Sequence, residues 1–179
     1  NNVDVTEWRI RGGIDFDFPP GAVVPAGQAR VILSFEPGAK DEFGQPVNDL
    51  RTNAVRRHYL LHPIIPLWGG YEGQLDNGGE RVQLQRPDEP PADEPTFIPR
   101  LLEDETIYDD ASPWPTAPDG SGQSLTRYSP AEWGHSAYSW TAAAASPGIH
   151  LPIEATLAVD EIDPTPSGFA AHFNRPLDL

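Results

Sequence analysis

The chain has 179 residues and a formal net charge of −15. A field of that sign repels a phosphate backbone and an anionic lipid surface, which argues against nucleic-acid binding. No apolar run approaches the roughly 20 residues of a membrane span, so no membrane insertion is expected. Cysteine is absent, which removes disulfides and thiol chemistry.

With 21 prolines and 16 glycines the chain must turn often and holds at most short helices. Five Trp, five Tyr and seven Phe, placed at regular intervals, supply a core and argue for folding rather than disorder. The chain opens Asn1-Asn2 and contains no Met, so it reads as a processed or excised piece of something larger.

Val3–Arg11 alternates as a strand, with one register break at Thr6-Glu7, and Gly12-Gly13 turns the chain. Ile14, Phe16 and Phe18 then lie on one face of a second strand that Pro19-Pro20-Gly21 ends. The apolar run Ala29–Phe35 predicts a buried strand. Glu36–Phe43 predicts a short helix stopped by Gly44. Gln45–Gly69 is less legible: Val55–Leu61 fits a strand or a helical turn, and Pro63 and Pro66 interrupt the residues after it. Arg81–Gln85 is a short strand with Val82 and Leu84 inward. Arg86–Arg100, acidic and proline-rich, is a surface excursion whose composition cannot support a core.

Glu103–Tyr108 and Ser124–Tyr128 are strands joined by a turn-rich loop in which Trp114 stands between two prolines and Asp119-Gly120 forms a tight-turn pair. Ser139–Ala142 closes this first unit, residues 1–148. Residues 149–179 read as a linker and the opening of a second β-domain. There Ile153–Asp163 and Gly168–Asn174 pair around Pro164-Thr165-Pro166-Ser167.

The order of these motifs resembles the lamin-tail domain in its bacterial, secreted form. The resemblance spans most of Val3–Gly148. Its strongest piece runs from Tyr108-Asp109-Asp110 through Pro113-Trp114-Pro115, Asp119-Gly120 and Gly122 to Ser124-Leu125, with Trp140 and Pro147-Gly148 closing it. It implies an all-β, immunoglobulin-like β-sandwich with long irregular loops and a non-catalytic role. Two departures stand out. The family's usual first strand, ahead of Val3, is absent, which leaves an edge open to another chain. The segments Gln45–Trp68 and Arg86–Leu102 are longer than the usual connections. Residues near the C-terminus, FNRPLDL, resemble the start of a bacterial surface Ig-like module.

Asp109, Asp110 and Asp119 are a candidate calcium site, because carboxylates on turns suit a hard cation. The competing reading, which the turn-rich context favours, has Asp109 and Asp119 accepting hydrogen bonds from turn amides. His58 and His62 would share a helix face and could bind zinc, but Pro63 and Pro66 oppose a long helix there and no third ligand is evident. Ser121, near His135 and Asp119, lacks the G-x-S-x-G order of a nucleophile elbow, and nothing selects two glycosidase acids among 27 Asp and Glu. Trp68, Tyr71, Trp114, Trp133 and Tyr138 could line a sugar platform. Trp8, Trp114 and Trp140 read better as core or loop anchors, so Trp68 and Trp133 remain the exposed pair for glycan binding.

The expectation is a non-enzymatic module of a large exported or cell-surface bacterial protein, engaged in adhesion, spacing or docking. Its partners would be protein or polysaccharide at the cell surface, and it would need no cofactor beyond the calcium candidate. The alternative is a carbohydrate-binding module.

Overall fold

The computed structural model describes residues 1–149 and 159–173. These are mostly β-strands in several sheets, all but one antiparallel, with one short α-helix, so the chain is all-β. The largest sheet has five antiparallel strands. Its members are β2 (Arg9–Gly12), β3 (Ile14–Asp17), β7 (Glu72–Gly73), β8 (Gly79–Pro87) and β9 (Arg100–Asp109), in the order β7-β3-β2-β8-β9. Two-stranded antiparallel pairs join β1 (Val3–Asp4) to β4 (Val23–Val24) and β10 (Gln123–Arg127) to β11 (Trp140–Ala144). A parallel pair joins β5 (Val31–Leu33) to β6 (Leu67–Gly69). The helix α1 (Asp49–His58) lies in the crossover that a parallel pair requires.

The break at Thr6-Glu7 splits the expected first strand into β1 and β2. Asp4 Oδ1 accepts the Thr6 amide at 2.8 Å, and Glu7 takes a left-handed φ of 62°. The Thr6 side chain, and then that amide bond, hold the Asp4 carboxyl below the usual carboxylate range. At the β2–β3 turn Gly12 has φ 125°, and a Cβ there would sit 1.9 Å from the Arg81 carbonyl oxygen. Only glycine lets the β8 backbone come this close.

The expected helix at Glu36–Phe43 is not formed. Asp41 Oδ1 accepts the amides of Phe43 and Gln45 at 2.9 and 2.8 Å, and Pro37-Gly38 interrupts any helical run. The helix falls instead on Asp49–His58, with Asp49 in its first turn and Arg56, Arg57 and His58 in its last, a charge order that complements its dipole. It buries no residue. Leu60, at φ 53°, occupies the left-handed position after the helix, and the Leu61 amide donates to the Arg56 carbonyl at 2.8 Å. The Arg56 guanidinium then donates to the carbonyls of His62 and Ile65, tying down the proline-rich segment.

β8 and β9 pair over nearly their whole length, with a bulge between Leu84 and Gln85. The acidic excursion is therefore shorter than expected: the Asp88 amide donates to the Pro99 carbonyl at 3.0 Å and closes it. On one face of the sheet a polar chain crosses three strands. Arg9 Nε donates to Gln85, Gln85 to Gln83, and Gln83 to Glu105, at 2.7, 3.0 and 2.7 Å. The opposite face, carrying Ile10, Val82 and Leu84, joins Trp8, Phe18, Ile32 and Trp140 around an open pocket of about 370 Å³. Among the described residues, Val5, Phe16, Ala22, Leu61 and Trp114 are the buried apolar ones.

The hairpin β12 (Val159–Thr165) and β13 (Gly168–Phe173) forms a two-stranded antiparallel sheet that, among the described residues, pairs with no other strand. It overlaps the expected C-terminal strand pair, of which residues 153–158 and 174 lie outside the described residues.

Candidate ligand-binding site

At the end of β9 the chain enters the loop 110–122 and folds back toward β10. Three devices hold this loop. Asp109 Oδ1 accepts the Ala111 amide at 3.0 Å, so Asp109 serves as a turn acceptor. The amides of Trp114 and Asp119 close turns onto the carbonyls of Ala111 and Thr116. The Trp114 ring is buried, with its centroid 6.3 Å from that of Trp140 on β11. The Ser112–Pro113 peptide bond is cis.

Trp140 is itself fixed. Its Nε1–H donates to the Gly134 carbonyl at 2.9 Å, and the Arg127 guanidinium stacks on its ring at 4.9 Å. Arg127 in turn pairs with Asp104 at 2.8 Å, linking β10 to β9.

Beneath the loop is a cavity of about 380 Å³. Leu75, Val82, Tyr108, Leu125 and Trp140 form its walls, and Pro115 and Pro118 line it from the loop. The walls converge because Val82 and Thr106 are cross-strand partners and Tyr108 lies two residues on, so all three share one face of the β8–β9 ladder. Asp76, Asp109, Asp110 and Asp119 stand among the lining residues, and no Lys, Arg or His does among the described residues. The Tyr108 hydroxyl donates to the Asp76 carbonyl at 2.7 Å. Burial raises the Tyr108 phenol's pKa above the ordinary value, and the charges of Glu80 and Asp76 add to the effect.

The three candidate calcium carboxylates, Asp109, Asp110 and Asp119, thus share one cavity. They do not close on one point: among the described residues no group of three or more His, Cys, Asp or Glu side chains is placed to hold a metal ion. The glycan pair is not assembled. Trp68, expected at the surface, is half-buried, edge-on to Phe18 at 5.5 Å and under the Arg30 guanidinium, because β6 carries it inward opposite Ile32. Trp133 is 76% exposed in the loop between β10 and β11.

His58 ends α1 against Tyr59, while His62 lies beyond the left-handed Leu60 and accepts the Ile64 amide, so the two share no helix face. Ser121 donates to the Ala117 carbonyl, and His135 Nδ1 lies 3.8 Å from Glu105 Oε2. Each has its partner elsewhere than in a Ser-His-Asp arrangement.

The walls Leu75, Tyr108, Leu125 and Trp140 were not among the sequence candidates. The period-two placement of Val82, Thr106 and Tyr108 was the one available signal. No protein-family model matches the chain, and no curated protein and no solved structure matches it.

Proposed function

We propose that the chain is a non-catalytic interaction module, built as a lamin-tail-like, immunoglobulin-like β-sandwich and belonging to a large exported or cell-surface bacterial protein. The observation that carries this reading is the anchored loop 110–122, pinned by Trp114 against Trp140 and presenting carboxylates over a β framework. Loops held on a rigid sheet are where β-domains place recognition. The framework charges are already engaged: Arg127 with Asp104, Arg11 with Asp17 and Arg86 with Glu103 are structural pairs. What the module offers to a partner is therefore its acidic loops.

The exposed Trp133 supports the second reading, a carbohydrate-binding module, since an indole face is a platform for a sugar ring. The immobilised chain is challenged with purified bacterial envelope protein and, separately, envelope polysaccharide. Saturable retention of protein, unchanged by Trp133→Ala, supports the first reading. Retention of polysaccharide that Trp133→Ala abolishes replaces it with the second. No saturable retention of either removes both.

A further inference from the structure

We infer that the cavity beneath the loop 110–122 is a binding site for a small organic cation with an apolar body, of the aralkylammonium class. The inference deepens the module reading and rests on it for biological context, but its chemistry stands on the cavity.

The volume of about 380 Å³ falls in the range of small-molecule pockets. The decisive feature is which polar groups in the lining are already used. The Trp140 N–H is spent on the Gly134 carbonyl and the Tyr108 O–H on the Asp76 carbonyl, so neither ring has a donor left to offer an occupant. Asp76 and Asp109 each give one carboxylate oxygen to a turn amide, of Gly78 and Ala111. The carboxylates of Asp110 and Asp119 accept no hydrogen bond among the described residues. An occupant therefore meets apolar walls and unspent acceptors of negative charge, with no cationic side chain among the described lining residues to compete.

That combination selects against other occupants. A sugar needs donors as well as acceptors from its site, and among the described lining side chains donors remain at Asn77 and Thr106 alone, against four carboxylates. An anion is repelled by four carboxylates. A bare divalent ion would need the carboxylates to converge, and they do not. A cation on an apolar stem satisfies both halves, with its stem against Leu125, Val82 and the rings and its charge toward Asp110 and Asp119.

The test uses the full chain followed by amide and indole NMR, titrated with phenethylammonium, with the neutral 2-phenylethanol of similar shape, and with calcium. The expected result is saturable binding of phenethylammonium that perturbs Tyr108, Leu125 and Trp140, about tenfold tighter than 2-phenylethanol and weakened by added salt. Asp110→Asn with Asp119→Asn should erase the preference for the cation while 2-phenylethanol still binds. Both residues are exposed, so the variant's unchanged spectrum elsewhere checks that the fold is intact.

Equal affinity for the two probes in the native chain, no saturable binding of either, or calcium producing the same shifts and excluding the amine would each overturn the assignment. Failure here with envelope-protein retention preserved removes the cavity site alone. Loss of that retention with amine binding preserved removes the module reading alone.

Discussion

The Asp104–Arg127 pair gives the sharpest quantitative test of how the hairpin β10–β11 is held to the large sheet. Its N–O distance is 2.8 Å, and the side chains are 39% and 17% exposed. At that distance the gross attraction is about 1.5 kcal/mol in bulk water and about 6 kcal/mol at an effective dielectric of 20. Desolvation offsets much of it, falling mostly on the more buried Arg127, while water screens the more exposed Asp104. The net coupling is then about 1–2 kcal/mol, between the values for surface and buried pairs. The measurement is a double-mutant cycle of Asp104→Ala and Arg127→Met by urea unfolding, since Met keeps part of the stem over Trp140. Arg11–Asp17, at 2.6 Å but with side chains 27% and 75% exposed, is the internal control, expected at about 0.5 kcal/mol and more sensitive to salt. A coupling for Asp104–Arg127 no larger than that of the control, or one that salt removes equally, would refute the claim that this pair acts as an internal tie.

Leu60→Gly should stabilise the chain by about 0.5–1 kcal/mol, because an exposed leucine holds the left-handed position that glycine adopts without strain; a lowered urea midpoint would contradict this account of the helix end. Gly12→Ala should cost about 3 kcal/mol or more, and Gly21→Ala, whose added Cβ meets nothing within 4 Å, only about 1 kcal/mol; equal costs would show that the approach of β8 at Gly12 is not limiting. In an alkaline absorbance titration Tyr108 should ionise above the ordinary tyrosine value of about 10, as a late step absent from Tyr108→Phe. Because the folded pKa is raised, the linked stability is present below the unfolded value and is lost as pH rises through the folded one. A late step that survives in Tyr108→Phe would reassign it.

What the sequence disclosed depended on whether the signal was local. Ile14–Asp17 and Arg81–Gln85 alternate with period two, and each lies on a strand of the five-stranded sheet. The helix escaped because it buries nothing: without an apolar stripe it carries no 3.6-residue signal, and it is held by its charge order and by the turn at Leu60. The parallel pairing of Val31–Leu33 with Leu67–Gly69 joins segments more than thirty residues apart, and no short-range pattern encodes it. That same pairing sets Trp68 opposite Ile32, where it is half-buried.

The candidate site shows the same division more finely. Asp109, Asp110 and Asp119 were visible as carboxylates on turns, and they do share one cavity. Their chemistry, however, is set by what surrounds them, and Leu75, Leu125 and Trp140 arrive there from three separate stretches of chain. Residue type tells which groups could bind a cation. Only the hydrogen-bond partners tell which are still free to do so: the Asp109 carboxylate has given one oxygen to Ala111, whereas those of Asp110 and Asp119 have given none among the described residues. The distinction between a metal site and an organic-cation site therefore turns on two features absent from composition: carboxylates that fail to converge, and aromatic walls whose polar hydrogens are already given to backbone carbonyls.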